Sequence, residues 1–318
     1  PYSKEPKLVN FDWEKSLLGK VDQAISKDDA ITLYNHCNHY LDKKEAIELL
    51  KNKKDSASLD IIQKALSDSF WYIRREAIQN SKKLAKERPI LFKAKLQELA
   101  KNDPKSSVRA AAINSLEKYF ADDLNTDFFL TGLEDSSYLV VASSLNAIND
   151  MDKAVGLKQA ELLEKEDNST IKLTLAGIYA ESGSPEKNDF FVNALETTSG
   201  FNKYPLLASY GEYIAKQDNQ LIKESIPLLK KESTADGIWF VRMAAINALV
   251  ATKQEKAEQI EKIDAQLTEE ASEEKKQMMN ANKQNEMEVK SLINTALIEI
   301  NEEEDNKNLK RILEGEID

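Results

Sequence analysis

Two histidines and the single cysteine, His36, Cys37 and His39, crowd into residues 34–40. On one helix, His36 and His39 at i and i+3 would share a face and could grip a metal ion. No third ligand is spaced to complete that site, and Cys37 falls on another face of the same helix. A thiol beside an imidazole is also the minimum for Cys/His nucleophilic chemistry. A polar helix flank accounts for these residues more simply than either. Carboxylate pairs are too abundant here to single out an acid–base couple. The patterns G-x-x-x-x-G-K-[ST] and G-x-G-x-x-G are absent, and nothing marks a serine elbow. The residues therefore point to no catalytic group, cofactor site or metal site within this chain, and to no enzyme activity of its own.

A second set of side chains could bind rather than react. Gln79, Asn114, Asn146, Tyr179, Tyr213 and Asn247 occupy one recurring position in an internal repeat. Asp68, Asp103 and Asp236 are each followed by an aliphatic residue at offset five, Arg at six, Ala at nine and Ile at ten. The copies read Ile73, Arg74, Ala77, Ile78; then Val108, Arg109, Ala112, Ile113; then Val241, Arg242, Ala245, Ile246. Asp135, Asn168 and Asn202 open weaker copies, so successive starts fall 35, 32, 33, 34 and 34 residues apart. Offset eleven of each copy supplies the six polar and aromatic residues named above. A continuous column of them would line a concave groove able to hold an extended partner. On that expectation, replacing Tyr179 or Tyr213 by alanine leaves stability nearly unchanged. A solvated face or hydrogen bonding between repeats is the simpler account of the column.

The elements that would position this column follow from the same spacing. Asp or Asn in a turn can accept from the free amides that open the next helix. Offsets five, nine, ten and thirteen share one helical face, and the small residue at nine permits close helix approach. A second amphipathic segment precedes each turn, as in Leu59, Ile62, Leu66 or Leu221, Ile226, Leu229. Each unit is then a helix, a turn and a second helix, and none can bury its apolar stripe alone. The predicted fold is all-α, an α-solenoid of helical hairpins over residues 26–252. The composition agrees. Of 318 residues 41% are hydrophobic, with only 9 glycines and 7 prolines, which favours long helices over turn-rich β folds. No apolar run approaches the roughly 20 residues of a membrane helix, so membrane insertion is not expected. The net charge of −11 disfavours nucleic acid as a partner. One cysteine excludes an internal disulfide framework.

The ends differ from the repeats. Residues 8–12 alternate apolar and polar and could form one strand, so residues 1–25 read as a linker or residual strand from an upstream domain. The chain opens at Pro1 without Met or a signal pattern, as an excised piece of something longer would. Ser26 to Asp29 reads as a capped helix start. Residues 253–318 hold 18 acidic and 10 basic residues, net −8. They are expected to form an acidic helical cap, with residues 269–284 as a connection or solvated helix and residues 302–305 as a solvated acidic run.

The Asp turn followed by an aliphatic–Arg pair resembles HEAT-like repeats. In that family the two residues form polar ladders between neighbours, which implies structural roles for Asp68, Arg74, Asp103, Arg109, Asp135, Asp236 and Arg242. Val141, Thr174 and Ala208 replace the arginine in the middle copies, so packing alone must hold those units together.

A more specific resemblance lies at the start. Leu8-Val9-Asn10-Phe11-Asp12-Trp13-Glu14-Lys15-Ser16-Leu17-Leu18, followed by Tyr40-Leu41-Asp42-Lys43-Lys44-Glu45-Ala46-Ile47, resembles the C-terminal portion of bacterial zinc aminopeptidases related to membrane alanyl aminopeptidase. The resemblance implies a non-catalytic solenoid that covers an upstream catalytic domain of the same polypeptide and shapes peptide access. It implies zinc in the parent only: the H-E-x-x-H and G-x-M-E-N motifs are absent from this chain. Such parents occur in the bacterial cytoplasm and in the cell envelope. The alternative is a stand-alone adaptor that binds a protein or peptide in its groove, and a hydrolase built on His36 and Cys37 ranks third.

Overall fold

The structure is a computed structural model, and it describes residues 6, 8–17, 19, 24–235, 237–270 and 272–317. Among them there is no strand, and no helix is long and apolar enough to cross a membrane. The chain divides into two compact units, Pro1–Asp152 and Lys153–Asp318. Each is an α-solenoid of stacked HEAT-like hairpins.

In the first unit the outer helices are α1 (Lys27–His36), α3 (Ser56–Ala65), the short α5 (Lys82–Glu87), α6 (Pro89–Asn102) and α8 (Thr126–Leu130). The second helices of the hairpins are α2 (Tyr40–Leu50), α4 (Trp71–Gln79), α7 (Ser106–Phe120) and α9 (Tyr138–Met151). They pack in a row, α2 on α4, α4 on α7 and α7 on α9, with the first helices layered against them. Ser26 opens α1 with a reciprocal capping box: its hydroxyl accepts from the Asp29 N–H, and the Asp29 carboxylate accepts from the Ser26 N–H.

The core is the expected stripe. Ile73, Ala77 and Ile78, then Val108, Ala112, Ile113 and Leu116, then Val140, Ser144, Leu145 and Ile148 are all buried at offsets five, nine, ten and thirteen. Helix α2 obeys the same offsets counted from Cys37, with buried Asp42 in the aliphatic place ahead of Ala46, Ile47 and Leu50.

The second unit comprises α10 (Lys153–Leu162), α11 (Ser169–Ser182), α12 (Asn188–Thr197), α13 (Lys203–Ile214), α14 (Asn219–Thr234), α15 (Trp239–Glu269), α16 (Glu273–Glu303) and α17 (Lys307–Glu316). Helices α11, α13 and α15 form the row of second helices, with α17 against α15; α12 packs on α13 and α16 on α14. At the α13–α15 contact, a Cβ on Gly211 would lie 2.7 Å from the Ala248 Cβ and 3.0 Å from its Cα. Glycine at offset nine thus sets that close approach.

Three expectations about the ends and one about the repeats are corrected. Residues 8–10 have no regular structure and residues 11–14 form a turn, not a strand. The Asp12 carboxylate accepts from the Ser16 and Leu17 N–H groups, and Asp12 and Lys15 both take φ 51°, which bends the chain out of an extended line. The boundary expected between residues 252 and 253 falls inside α15, so the acidic tract begins in mid-helix. Residues 302–305 are not uniformly solvated, because Glu304 is buried. In α11 the small residue at offset nine, Gly177, is exposed with nothing within 4 Å of its would-be Cβ, so it permits no close approach.

Candidate functional site

Polar pairs join the second helices α2, α4, α7 and α15 to acids in later turns. Arg74 grips Asp103 with two parallel bonds, Nε to Oδ2 at 2.6 Å and Nη2 to Oδ1 at 2.8 Å. Arg109 grips Asp135 in the same way at 2.8 and 2.7 Å. Each aspartate also accepts from the N–H two residues ahead, Lys105 and Ser137 respectively, which turns the chain into the next helix. The Arg109 guanidinium holds the Asp135 carboxyl below the ordinary carboxylate range.

Asp68 has no arginine. Burial works against its charge, but Lys43 at 2.6 Å, the Phe70 N–H and the Tyr34 hydroxyl outweigh burial and lower its pKa. Lys43 stands six residues after Cys37, the ladder offset, and the substitution of Lys for Arg hid it from a pattern built on arginine. Arg242 pairs with buried Glu304, whose carboxylate also accepts from the Asn306 N–H two residues on. Glu304 therefore acts as a turn acid, and α16 with α17 forms a further hairpin where a cap was expected. It lies 68 positions after Asp236, two repeat lengths, and the 31-residue α15 and α16 mask that phase. Asp236 itself lies outside the described residues.

Offset eleven does not form one column. Gln79, Asn114, Asn146 and Asn247 are exposed, whereas Tyr179 and Tyr213 are fully buried. The Tyr179 hydroxyl donates to Glu164 at 2.5 Å, and Lys187 holds that carboxylate at 2.9 Å with its ammonium 4.8 Å from the ring centre. The Tyr213 hydroxyl donates to the Ser184 and Pro185 carbonyls, and burial pushes its pKa up to about 12. Both tyrosines are core residues, which overturns their place in a groove.

The cause is local. Helices α4, α7 and α9 begin three residues after their aspartate, but α11 begins one residue after Asn168 and α13 one after Asn202. Asn168 is itself the N-cap, accepting from Thr170 and Ile171. Each residue of helix turns the face by about 100°. The buried residues of α11 include Ile171, Leu175, Ala176 and Tyr179, each two positions earlier than the repeat predicts, beside Ile178 and Ala180. In α13 Leu206, Leu207, Tyr210, Gly211, Tyr213 and Ile214 are all buried, so its buried face keeps offsets five and nine and widens to take in offset eleven.

In the first unit Gln79 and Asn114 line a cavity of about 390 Å³ between α4, α7 and α9, together with Arg75, Ser107, Ser115, Lys118, Tyr119, Leu139 and Ser143. No carboxylate lines it. The Arg75 guanidinium lies 5.3 Å from the Trp71 ring centre and 4.9 Å from that of Tyr72. Its buried Nε and the buried Ser107 hydroxyl have no hydrogen-bond partner. A buried donor without an acceptor costs about 1–3 kcal/mol. Arg75 and Lys118 escaped the repeat pattern because they sit one residue past the ladder arginine and one turn past Asn114, positions that vary between copies. Lys44 and Lys105 approach the same aromatic pair, at 5.6 Å from Tyr72 and 5.0 Å from Trp71. Trp71 and Tyr72 are themselves half-buried.

The segment before α1 lies on α2. Asn10 donates to the Asp42 carboxylate at 3.1 Å and Lys15 pairs with it at 2.8 Å. Held in this way, the segment turns Val9, Phe11 and Trp13 to solvent at 63%, 57% and 68% exposure. His36 and His39 do not share a helix face: α1 ends at His36, and His39 is the N-cap of α2, its Nδ1 accepting from the Leu41 N–H. Burial pushes the Cys37 thiol up, opposite to what an attacking thiolate needs. Among the described residues no three His, Cys, Asp or Glu side chains are grouped to hold a metal ion.

With this geometry in view, comparison with known families agrees with the fold. A family model for HEAT repeats matches residues 30–117. No curated protein matches the chain. The fold is an all-α array of HEAT-like helical hairpins, with the family match confined to residues 30–117.

Proposed function

We propose that this scaffold is non-catalytic and works beside a zinc metallo-aminopeptidase domain of the same polypeptide, narrowing the approach of peptides to it. The observation that carries the proposal is the segment at residues 8–17. Its sequence resembles the junction that precedes the helical part of those enzymes. Its polar side chains Asn10 and Lys15 fasten it to Asp42 while Val9, Phe11 and Trp13 face outward. Three large apolar side chains on a pinned segment suit a covered interface better than open water. Zinc and the chemistry of peptide cleavage would belong to the neighbouring domain.

The test is to express this chain and the domain encoded upstream in its reading frame as separate proteins. The expected result is that the upstream domain carries H-E-x-x-H, the two co-elute, and Phe11→Asp with Trp13→Asp separates them. Addition of the chain should also shift the aminopeptidase's preference among peptide lengths. A reading frame with no such domain would leave the stand-alone adaptor, which the polar cavity at Arg75 favours independently.

A further inference from the structure

Arg74, Arg88, Arg109 and Arg242 each hold a carboxylate. Arg75 has none among the described residues, although it is held in place by two aromatic rings. Its Nε and the Ser107 hydroxyl are both buried without partners, and residues Arg75 and Ser107 both line the same cavity. Guanidinium can only donate, so what is missing there is an acceptor. Lys118 adds a second cation to the lining. Glu48 and Glu76 act on Lys44, and neither lines the cavity.

The amides along this face extend the demand beyond one anion. Gln79, Asn114 and Asn146 stand exposed on α4, α7 and α9 in turn. Each amide both donates and accepts, which is what an extended peptide backbone requires of a partner. Packed helices lie roughly 8–10 Å apart, so an extended strand advances about one helix every three residues.

From these observations the geometry points to a binding site for an extended acidic peptide, with a carboxylate side chain seated on Arg75 and Ser107 and the backbone running along the amides. This rests only on the scaffold reading and needs no neighbouring peptidase.

The experiment uses this chain alone and a fluorescein-labelled nonapeptide with glutamate at every third position, compared with its glutamine counterpart by anisotropy. The glutamate peptide should bind at least about tenfold tighter. Arg75→Gln should erase that difference, Lys118→Gln should reduce it, and Arg75→Lys should restore only part, because an ammonium lacks the two-pronged donor. Melting curves of the variants keep binding separate from folding. Equal binding of the two peptides, or full binding by a folded Arg75→Gln variant, would overturn the proposal. So would complete displacement by millimolar inorganic phosphate when the glutamine peptide shows no binding at all, since that marks a bare oxyanion site. Tighter, Arg75-dependent binding of single-stranded DNA would overturn it in favour of nucleic acid.

Discussion

In the first unit, Lys43–Asp68, Arg74–Asp103 and Arg109–Asp135 tie α2, α4 and α7 each to the next turn, and offset eleven stays in water. In the second unit α11 and α13 carry Thr174 and Ala208 at the expected ladder position, and tyrosines fill the space at offset eleven. The two regions show that one hairpin pattern can be held by charge or by aromatic packing. Which is used depends on where the helix starts relative to its turn residue. A start three residues after the aspartate leaves the carboxylate free to meet a cation from the preceding helix. In α11 the start one residue after Asn168 uses that side chain as the cap itself and brings the Tyr179 ring inward.

The largest test of that contrast is Tyr179→Ala. It should destabilise the second unit by about 3–5 kcal/mol, as expected for emptying a buried aromatic site, in urea or thermal unfolding. Asp103→Ala in the first unit should cost on the order of 3 kcal/mol, because the buried Arg74 would keep its charge without a partner. If Asp103→Ala proves neutral, the ladder is ornamental and packing holds both units.

Gly211→Ala sharpens the packing side. Helix propensity favours alanine by about 1 kcal/mol. The 2.7 Å approach to Ala248 should reverse that sign and leave a net loss of about 1–2 kcal/mol.

Smaller effects appear with pH. Asp68 and Asp135 in the first unit and Glu164 in the second have lowered folded-state pKa values. Their contributions are complete above the unfolded carboxylate values, about 4, and are lost as pH falls below them. Tyr213 is raised to about 12, so its contribution is complete below pH 10 and drains away between about pH 10 and 12. Tyr179 and Tyr210 are raised further, against Tyr34 alone in the first unit. Hydrogen exchange across an alkaline titration should therefore show the second unit opening first. At the small end, Gln79→Ala and Asn114→Ala should change stability by no more than about 0.5 kcal/mol.

Much of this was legible in residue order. The spacing of Asp68, Asp103 and Asp135, and the small residue before an isoleucine or leucine, determined hairpins, an all-α fold and a buried stripe, because helical periodicity maps directly onto one face. Ser26 announced α1 through local hydrogen bonding alone. Register in α11 was not legible, because two residues of difference in helix start leave the composition unchanged yet turn Gly177 outward and Tyr179 inward. Lys43 and Glu304 were hidden for a related reason: their roles are defined by which turn they reach, 25 and 62 residues away, and chemical substitutes serve equally well there.

The repeat, its period and the absence of a recognisable catalytic motif belong to the sequence by itself. The pairing of Arg242 with Glu304, the burial of Tyr179 and Tyr213, and the isolation of Arg75 over two rings were decided only in the tertiary structure. Helix formation is governed by neighbours within a few residues. Whether a side chain meets a carboxylate, a carbonyl or nothing depends on packing between helices far apart in the chain.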